Sequence, residues 1–105
     1  MQRDRVYLII DILTKLIEYG EVNQSSLLLY CRLNLTKHKE ILDGLEQNSF
    51  IVKKNSYLGK KMILSYSITS QGIEFYKKIL EPYEKFFPRK EREIERERDR
   101  ERDLI

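Results

Sequence analysis

Residues 23–69 read NQSSLLLYCRLNLTKHKEILDGLEQNSFIVKKNSYLGKKMILSYSIT. Two helix-like segments flank the turn Asn34-Leu35-Thr36, and two strand-like runs joined by a lysine-rich connection follow them. In the second of these helices, expected over residues 36–48, Ile41, Leu42 and Leu45 fall on one face. Two helices across a tight turn, followed by a basic hairpin, are typical of a domain that places one helix in a nucleic-acid groove.

The ends of these two helices are predicted from their polar residues. Asn23 can cap the first helix and Thr36 the second, because their side-chain oxygens can accept free backbone N–H groups. Asn34 suits a left-handed turn position, which asparagine adopts at lower cost than most residues. Gly44 lies inside the second helix, where it disfavours helix by about 1 kcal/mol relative to alanine. We therefore expect a close approach between the two helices at Gly44.

The hairpin is expected over residues 51–68. Phe50-Ile51-Val52 begins the first strand, and in the second strand Met62, Leu64, Tyr66 and Ile68 occupy alternate positions on one face. Residues 55–61 are expected to form the connecting tip, with Tyr57 and Leu58 at its end. Residues 51–61 contain four lysines and no acidic residue. We expect these lysines and the charged flank of the second helix to form one cationic face.

A further helix is predicted on each side of this segment. Apolar residues recur at helical spacing from Asp4 to Tyr19, and Gly20 is suited to end that helix. Thr69 is expected to cap a last helix over about residues 69–87. Pro82 interrupts it, so we expect a kink near Glu81, because proline removes a hydrogen bond and crowds the preceding turn.

The last helix carries two apolar stripes, which is more apolar surface than one small core needs. One stripe can close the domain and the other can meet a second copy of the chain, although both could serve the internal core. The candidate dimerisation residues are Phe75, Tyr76, Ile79, Leu80, Tyr83, Phe86 and Phe87.

Composition places the chain among small, highly charged domains. Its 105 residues suit one domain, and 41% of them are apolar while 35% are charged. The formal charge of +3 resides in residues 1–88, because residues 89–105 carry seven basic and seven acidic residues. We predict a domain over residues 1–88 and a charged tail over residues 89–105, as a frayed helix or disordered. Without a membrane-spanning run or leader pattern, we expect a soluble, cytoplasmic, nucleoid-associated protein.

Catalysis and cofactor binding find no support in the sequence. His38 and Cys31 are the only residues of their types, and a glycine-rich phosphate loop is absent. We therefore expect that the protein is not an enzyme and that it binds no metal, cofactor or small-molecule ligand. Cys31 is expected to pack as a small apolar residue rather than act as a redox sensor, and His38 to be half-buried rather than a base contact.

Candidate DNA contacts follow from what a groove-binding protein requires. Phosphates need cations or free N–H groups, and bases need donors and acceptors that reach their edges. The helix after the turn would supply the base contacts, the hairpin the phosphate contacts, and the start of the preceding helix a further phosphate site. The candidates are Asn23, Gln24, Ser25, Thr36, Lys37, Lys39, Glu40, Lys53, Lys54, Tyr57, Lys60 and Lys61.

The chain resembles the small archaeal winged helix-turn-helix DNA-binding proteins over residues 6–87. The resemblance rests on residues 22–26, Leu35-Thr36, residues 41–45, Phe50-Ile51 and above all Tyr66-Ser67-Ile68-Thr69-Ser70-Gln71-Gly72. It implies an α+β, mostly α, winged helix-turn-helix fold with a long C-terminal helix. It also implies a homodimer, joined through that helix as an antiparallel coiled coil, that acts on double-stranded DNA in transcription control or DNA organisation. Ser49 departs from the glycine usual before the wing.

Three functions remain open at this stage. The first is a dimeric transcriptional regulator. The second is a winged helix that mediates protein assembly without DNA, which the acids Glu40, Asp43 and Glu46 favour. The third is an architectural protein without sequence preference, which the modest charge disfavours. The hairpin lysines could also serve only to protect a strand edge against pairing.

Overall fold

Helices surround a small antiparallel sheet, from which a two-stranded ribbon extends. The computed structural model describes residues 5–88. The predicted charged tail and the predicted helix start at Asp4 lie outside these residues. The described elements are α1 (Arg5–Tyr19), β1 (Glu21–Asn23), α2 (Gln24–Tyr30), α3 (Leu35–Gln47), β2 (Ile51–Leu58), β3 (Lys61–Ile68), α4 (Ser70–Phe75), a π-helical turn (Tyr76–Leu80) and α5 (Glu81–Phe86). We call the last three together the terminal helix.

The sheet has the strand order β1-β3-β2, with both pairings antiparallel. β1 pairs with β3 through Val22 and Tyr66. The wing, formed by β2 and β3, spans the predicted residues 51–68, but its strands are paired over more residues than predicted. Its strands remain paired as far as Leu58 and Lys61, so Gly59 and Lys60 alone form the turn. Gly59 has a φ of +66°, the conformation that a tight two-residue turn requires.

The core lies between α1 and the inner face of the sheet. Ile12, Leu13 and Leu16 of α1 are completely buried, as is Leu27 of α2. Leu42 of α3 and Ile51 of β2 complete the contact from the other side. The predicted apolar face of α3, formed by Ile41, Leu42 and Leu45, is confirmed. In α1 the burial of Leu13 and Leu16 agrees with the helical spacing of the sequence, whereas Ile17, which shares that spacing, is 40% exposed.

The turn before α3 differs from the prediction at two residues. Asn34, not Thr36, caps α3, because its side-chain oxygen accepts the N–H groups of Thr36 and Lys37. Asn34 therefore has an extended backbone (φ −110°, ψ 120°) rather than a left-handed one. The left-handed residue is Arg32, with a φ of 54°. An asparagine that caps must be extended, so the reversal of the chain falls on another residue.

Two other predicted caps are confirmed. The Asn23 side chain accepts the N–H of Ser26, and Thr69 Oγ1 accepts the N–H of Gly72. Ser49 has a φ of 64°, a value that favours glycine. Ser49 therefore occupies a backbone conformation that glycine adopts at lower cost.

Gly72, rather than Gly44, marks a close approach. A Cβ at Gly72 would lie 2.2 Å from the carbonyl oxygen of Phe50, so α4 packs directly on the start of the wing. A Cβ at Gly44 would have no atom within 4 Å, and the predicted contact between α2 and α3 at that residue is wrong. Gly44 instead borders a shallow concavity on the outer side of α3.

The terminal helix passes through Pro82 with helical backbone angles. Leu80 and Glu81 have φ values of −75° and −62°. The departure from α-helix is the π-helical turn Tyr76–Leu80, which ends directly before Glu81, the residue near which a kink was expected. A wider turn reduces the crowding that a proline ring imposes on the preceding carbonyl groups. The helix ends at Phe86, ahead of Pro88, in agreement with the sequence pattern.

Candidate nucleic-acid interface

The N-terminal half of α3 is exposed on its outer side. Thr36, Lys37, Lys39 and Glu40 are all exposed, as predicted, whereas the buried side of the helix consists of Ile41, Leu42 and Leu45. His38 lies between the two sides, half-buried, and its Nδ1 accepts the N–H of Asn34 at 2.9 Å. The imidazole thus helps to hold the turn before α3, which leaves four candidate side chains directed to solvent.

Both flanks of α3 are tied to neighbouring elements by ion pairs. Arg5 of α1 donates to Glu40 at 3.0 Å on one flank. Lys53 of the wing lies 3.7 Å from Glu46 on the other. Each pair is exposed and so contributes at most about 1 kcal/mol. Their importance is geometric, because they connect α3 to α1 and to the wing.

These pairs also change the charge that α3 presents. Lys37 and Lys39 are accompanied by Glu40, Asp43 and Glu46, which would repel phosphate. Since Arg5 and Lys53 neutralise two of these acids, the negative charge of the helix surface is reduced to Asp43. Arg5 was not predicted to contribute here, since its distance of 35 residues from Glu40 leaves no trace in sequence spacing.

The wing lysines surround the ribbon rather than line one face. Lys53 pairs across the strands with Tyr66 on the inner side, whereas Lys54 and Lys61 pair with Ser65 and Leu58 on the outer side. Lys60 lies in the turn. The single cationic face expected from the sequence is therefore wrong, because neighbouring strand residues point to opposite faces. A basic ribbon charged on both faces results.

The wing tip carries apolar side chains in water. Tyr57 and Leu58 are exposed over 71% and 72% of their surface, and Met62 over 55%. Met62 was expected to share the inner face with Tyr66, and it does lie on that side. The ribbon extends beyond the core, however, so that face is covered only near its base.

The start of α2 has fewer polar side chains available to a ligand than predicted. The Asn23 side chain is used by its own cap, and Gln24 Nε2 donates to the hydroxyl of Tyr66 at 3.2 Å. Ser25 is exposed. Two of the three candidate residues therefore have structural partners within the chain.

The predicted dimerisation residues divide into two groups. Phe75 stacks on Phe50 with ring centroids 4.3 Å apart, Tyr76 packs against the core, and Leu80 is 2% exposed. This first group serves the chain's own core. The second group is exposed: Ile79, Tyr83, Phe86 and Phe87.

Part of the exposed group is held in place by α1. The Tyr83 ring lies 6.3 Å from that of Tyr7 and 5.0 Å from that of Phe87, and the Tyr7 hydroxyl donates to the carbonyl of Phe87. The C-terminal end of the terminal helix is thus fixed against α1.

Within the terminal helix, Lys78 donates to Glu74 at 2.6 Å and thereby lowers the pKa of that carboxyl group.

Cys31 is 3% exposed and packs in the core, as expected. Residues 5–88 contain no cluster of three or more His, Cys, Asp and Glu residues that could hold a metal ion. Within the same residues, no helix has the length and apolar character needed to cross a membrane.

Comparison with known proteins identifies a shared fold. No protein-family model matches the sequence, and no curated protein matches it. Among solved structures, that of overoxidized AbfR bound to DNA matches with a TM-score of 0.63 and 19% identity, over 95% of this chain and 71% of that one. Reduced AbfR bound to DNA matches with a TM-score of 0.62 and 20% identity, over 95% and 70%. At this identity the likeness establishes architecture alone, and the α+β winged helix-turn-helix fold predicted from the sequence is confirmed.

Proposed function

We propose that this protein is a DNA-binding transcriptional regulator of the winged helix-turn-helix type. The recognition helix, predicted over residues 36–48 and observed as α3, would enter the major groove, and the wing, residues 51–68, would contact the neighbouring backbone. One observation carries the proposal: α3, whose N-terminal half is exposed, is linked near its C-terminal end to a lysine-bearing ribbon through Glu46 and Lys53. The winged-helix neighbours described above were solved in complex with DNA, which supports the same role here.

The exposed residues of α3 have the chemistry needed to contact bases. Lys37 and Lys39 can donate to the O6 and N7 atoms of guanine, and Thr36 can contact either bases or phosphate. Glu40 can accept from the N4 amino group of cytosine. Because Arg5 pairs with Glu40, the carboxylate can approach the groove with less repulsion from phosphate.

The wing has the charge needed to contact two phosphate strands. A ribbon that lies in a groove has a DNA backbone on each side. Lysines on both faces and in the turn therefore suit it better than lysines on one face alone. Neither β2 nor β3 contains an acidic residue to oppose this contact.

The exposed group on the terminal helix supports a homodimer of the kind found in the archaeal proteins that the sequence resembles. Ile79, Tyr83, Phe86 and Phe87 would meet their equivalents in a second copy. Two such heads would bind half-sites about one helical turn of DNA apart, or a multiple of that distance. A regulator of this kind would act in the cytoplasm, at the nucleoid.

A gel-shift experiment tests DNA binding directly. At low salt and micromolar protein, mixed genomic fragments should be retarded, since phosphate contacts dominate under those conditions. Competition with unrelated DNA then separates a regulator, which retains its preferred fragments, from an architectural protein, which does not. If no fragment is retarded, the proposal is wrong.

The contribution of the wing can be measured by salt titration. Replacement of Lys54, Lys60 and Lys61 by alanine should reduce the slope of log K against log salt by roughly one for each lysine that contacts a phosphate. The matched control replaces Lys77, Lys78 and Lys85, three exposed lysines of the terminal helix. Equal slopes for the two triple variants would show that the wing does not contact DNA.

The main alternative is a winged helix that binds another protein. The acidic residues of α3 favour it, because Asp43 has no ion pair among the described residues. Such an adaptor would bind a basic partner through the same face and would retard no DNA.

A further inference from the structure

The apolar tip of the wing has no partner among the described residues. Tyr57 and Met62 form a cross-strand pair on the inner side, and Leu58 ends β2 beside the Gly59-Lys60 turn. Because these residues belong to a paired ladder, their side chains are fixed at the projecting end of the ribbon. Leu64 and Tyr66, further along the same side, are covered by the body of the protein. Adjacent large apolar side chains held in water indicate a surface that another molecule covers.

The charge of the ribbon restricts what that molecule is. Four lysines and no acid lie between Ile51 and Ile68, and two of the lysines, Lys60 and Lys61, directly follow Leu58 and Gly59. The partner is therefore polyanionic and offers an apolar surface within reach of its charges. Stacked bases between phosphate strands meet both requirements, as does an anionic membrane.

The position of the ribbon favours DNA over a membrane. Lys53 connects the base of the ribbon to α3. The exposed lysines of α3 belong to the face that is proposed above to enter a DNA groove. A duplex can engage α3 in the major groove and the ribbon in the adjacent minor groove at once. A membrane surface is flat and has no groove to receive α3, so insertion of the tip alone would leave the α3 lysines without anionic partners.

We infer that Leu58 acts as a wedge that enters the minor groove and partly unstacks one base step, thereby bending the duplex. This inference rests on the proposed function and adds the deformation of DNA to it. Lys60 and Lys61 would neutralise the phosphates beside the opened step, while Tyr57 and Met62 cover the sugars on the opposite side of the ribbon. Apolar wedges of this kind bend DNA by about 20–90° toward the major groove.

A wedge also provides specificity without hydrogen bonds. Pyrimidine–purine steps, TA and CA, unstack at the lowest energetic cost. Sites that place such a step under the wing should therefore be preferred, even though leucine forms no hydrogen bond with a base.

The test uses the intact protein and a duplex that it retards. One sample carries donor and acceptor dyes at the two ends, and another carries 2-aminopurine at a TA step. Binding of the unaltered protein should shorten the end-to-end distance and raise the 2-aminopurine fluorescence several-fold, because unstacking relieves its quenching. Leu58→Ser should abolish both changes while the slope of log K against log salt stays the same. Leu58→Met, which keeps an apolar side chain, should retain them.

Leu29→Ser is the matched control, because Leu29 is 76% exposed and belongs to α2 rather than to the wing. It should behave as the unaltered protein does. A duplex that is bound but straight, or one that Leu58→Ser bends equally, overturns the wedge and leaves DNA binding intact. If no duplex is retarded, the proposed function and the wedge both fail. Leu58-dependent binding to phosphatidylglycerol vesicles, with no DNA bending, would assign the tip to a membrane instead.

Discussion

At the scale of single residues, the turn before α3 depends on Asn34, which forms hydrogen bonds through both its side chain and its backbone. Asn34 caps the helix with its side chain, and its backbone N–H is bound by His38. The left-handed position that reverses the chain falls on Arg32. A sequence pattern that contains both an asparagine and a threonine before a helix does not distinguish which of them caps it. The outcome here follows from which residue has extended backbone angles.

Replacement of Asn34 by alanine should therefore lower the free energy of unfolding by about 1 kcal/mol, the typical value of an N-cap. Replacement of the exposed Thr36 by alanine should change it much less, because Thr36 occupies the second residue of the helix. Urea denaturation of the two variants measures the difference. Equal losses, or a larger loss at Thr36, would contradict the assignment of the cap.

At the scale of elements, the contact between α4 and the base of the wing sets where the ribbon points. Gly72 lies against the carbonyl of Phe50, the Phe50 ring stacks on Phe75, and Thr69 Oγ1 lies 2.6 Å from the Ser49 carbonyl oxygen. These contacts join the start of the terminal helix to the residues where α3 ends and β2 begins. The direction of the wing relative to α3 therefore depends on two contacts. One is the packing of α4 against the start of β2, and the other is the ion pair between Lys53 and Glu46.

Gly72→Ala should destabilise the protein by about 1–3 kcal/mol, the range found when a methyl group is forced into a packed site. The added Cβ would lie 2.2 Å from a backbone oxygen and 2.7 Å from Ile68 Cγ1, so the contact can be relieved only if α4 moves away from the wing. Gly44→Ala is the matched comparison. With open space around its Cβ, it should stabilise the protein by up to about 1 kcal/mol through helix propensity. Thermal denaturation of both variants measures the change in stability, which this packing requires to be a loss for Gly72→Ala and a gain for Gly44→Ala.

At the scale of the whole molecule, the exposed charged side chains of α3 and the wing and the exposed apolar side chains of the terminal helix lie on different elements. Ile79 and Phe86 are exposed over 54% and 80%, while Phe75 and Leu80 of the same helix support the core. Substitution of an exposed member should therefore affect assembly, and substitution of a buried member should affect folding. This separation allows the dimer to be tested without loss of the monomer fold.

Phe86→Glu combined with Ile79→Glu should convert a dimer to a monomer, because charges placed in an apolar seam lose their hydration. Sedimentation equilibrium at tens of micromolar measures the mass, and circular dichroism should show unchanged helix content. Leu29→Glu, on α2, provides a control that alters an equally exposed apolar residue elsewhere. A monomeric mass for the unaltered protein would refute the proposed homodimer.

The sequence by itself determined the order of the main helices and of the hairpin, the apolar face of α3, and the caps at Asn23 and Thr69. These properties are local, because they arise from periodicity and from hydrogen bonds between residues at most a few positions apart. Only the tertiary structure decided the pairing of Arg5 with Glu40, the close approach at Gly72, the division of the terminal helix into core and exposed residues, and the extension of the paired ribbon as far as Leu58 and Lys61. Those properties depend on where distant segments meet and how far the ribbon extends beyond the core, which no spacing in the sequence records.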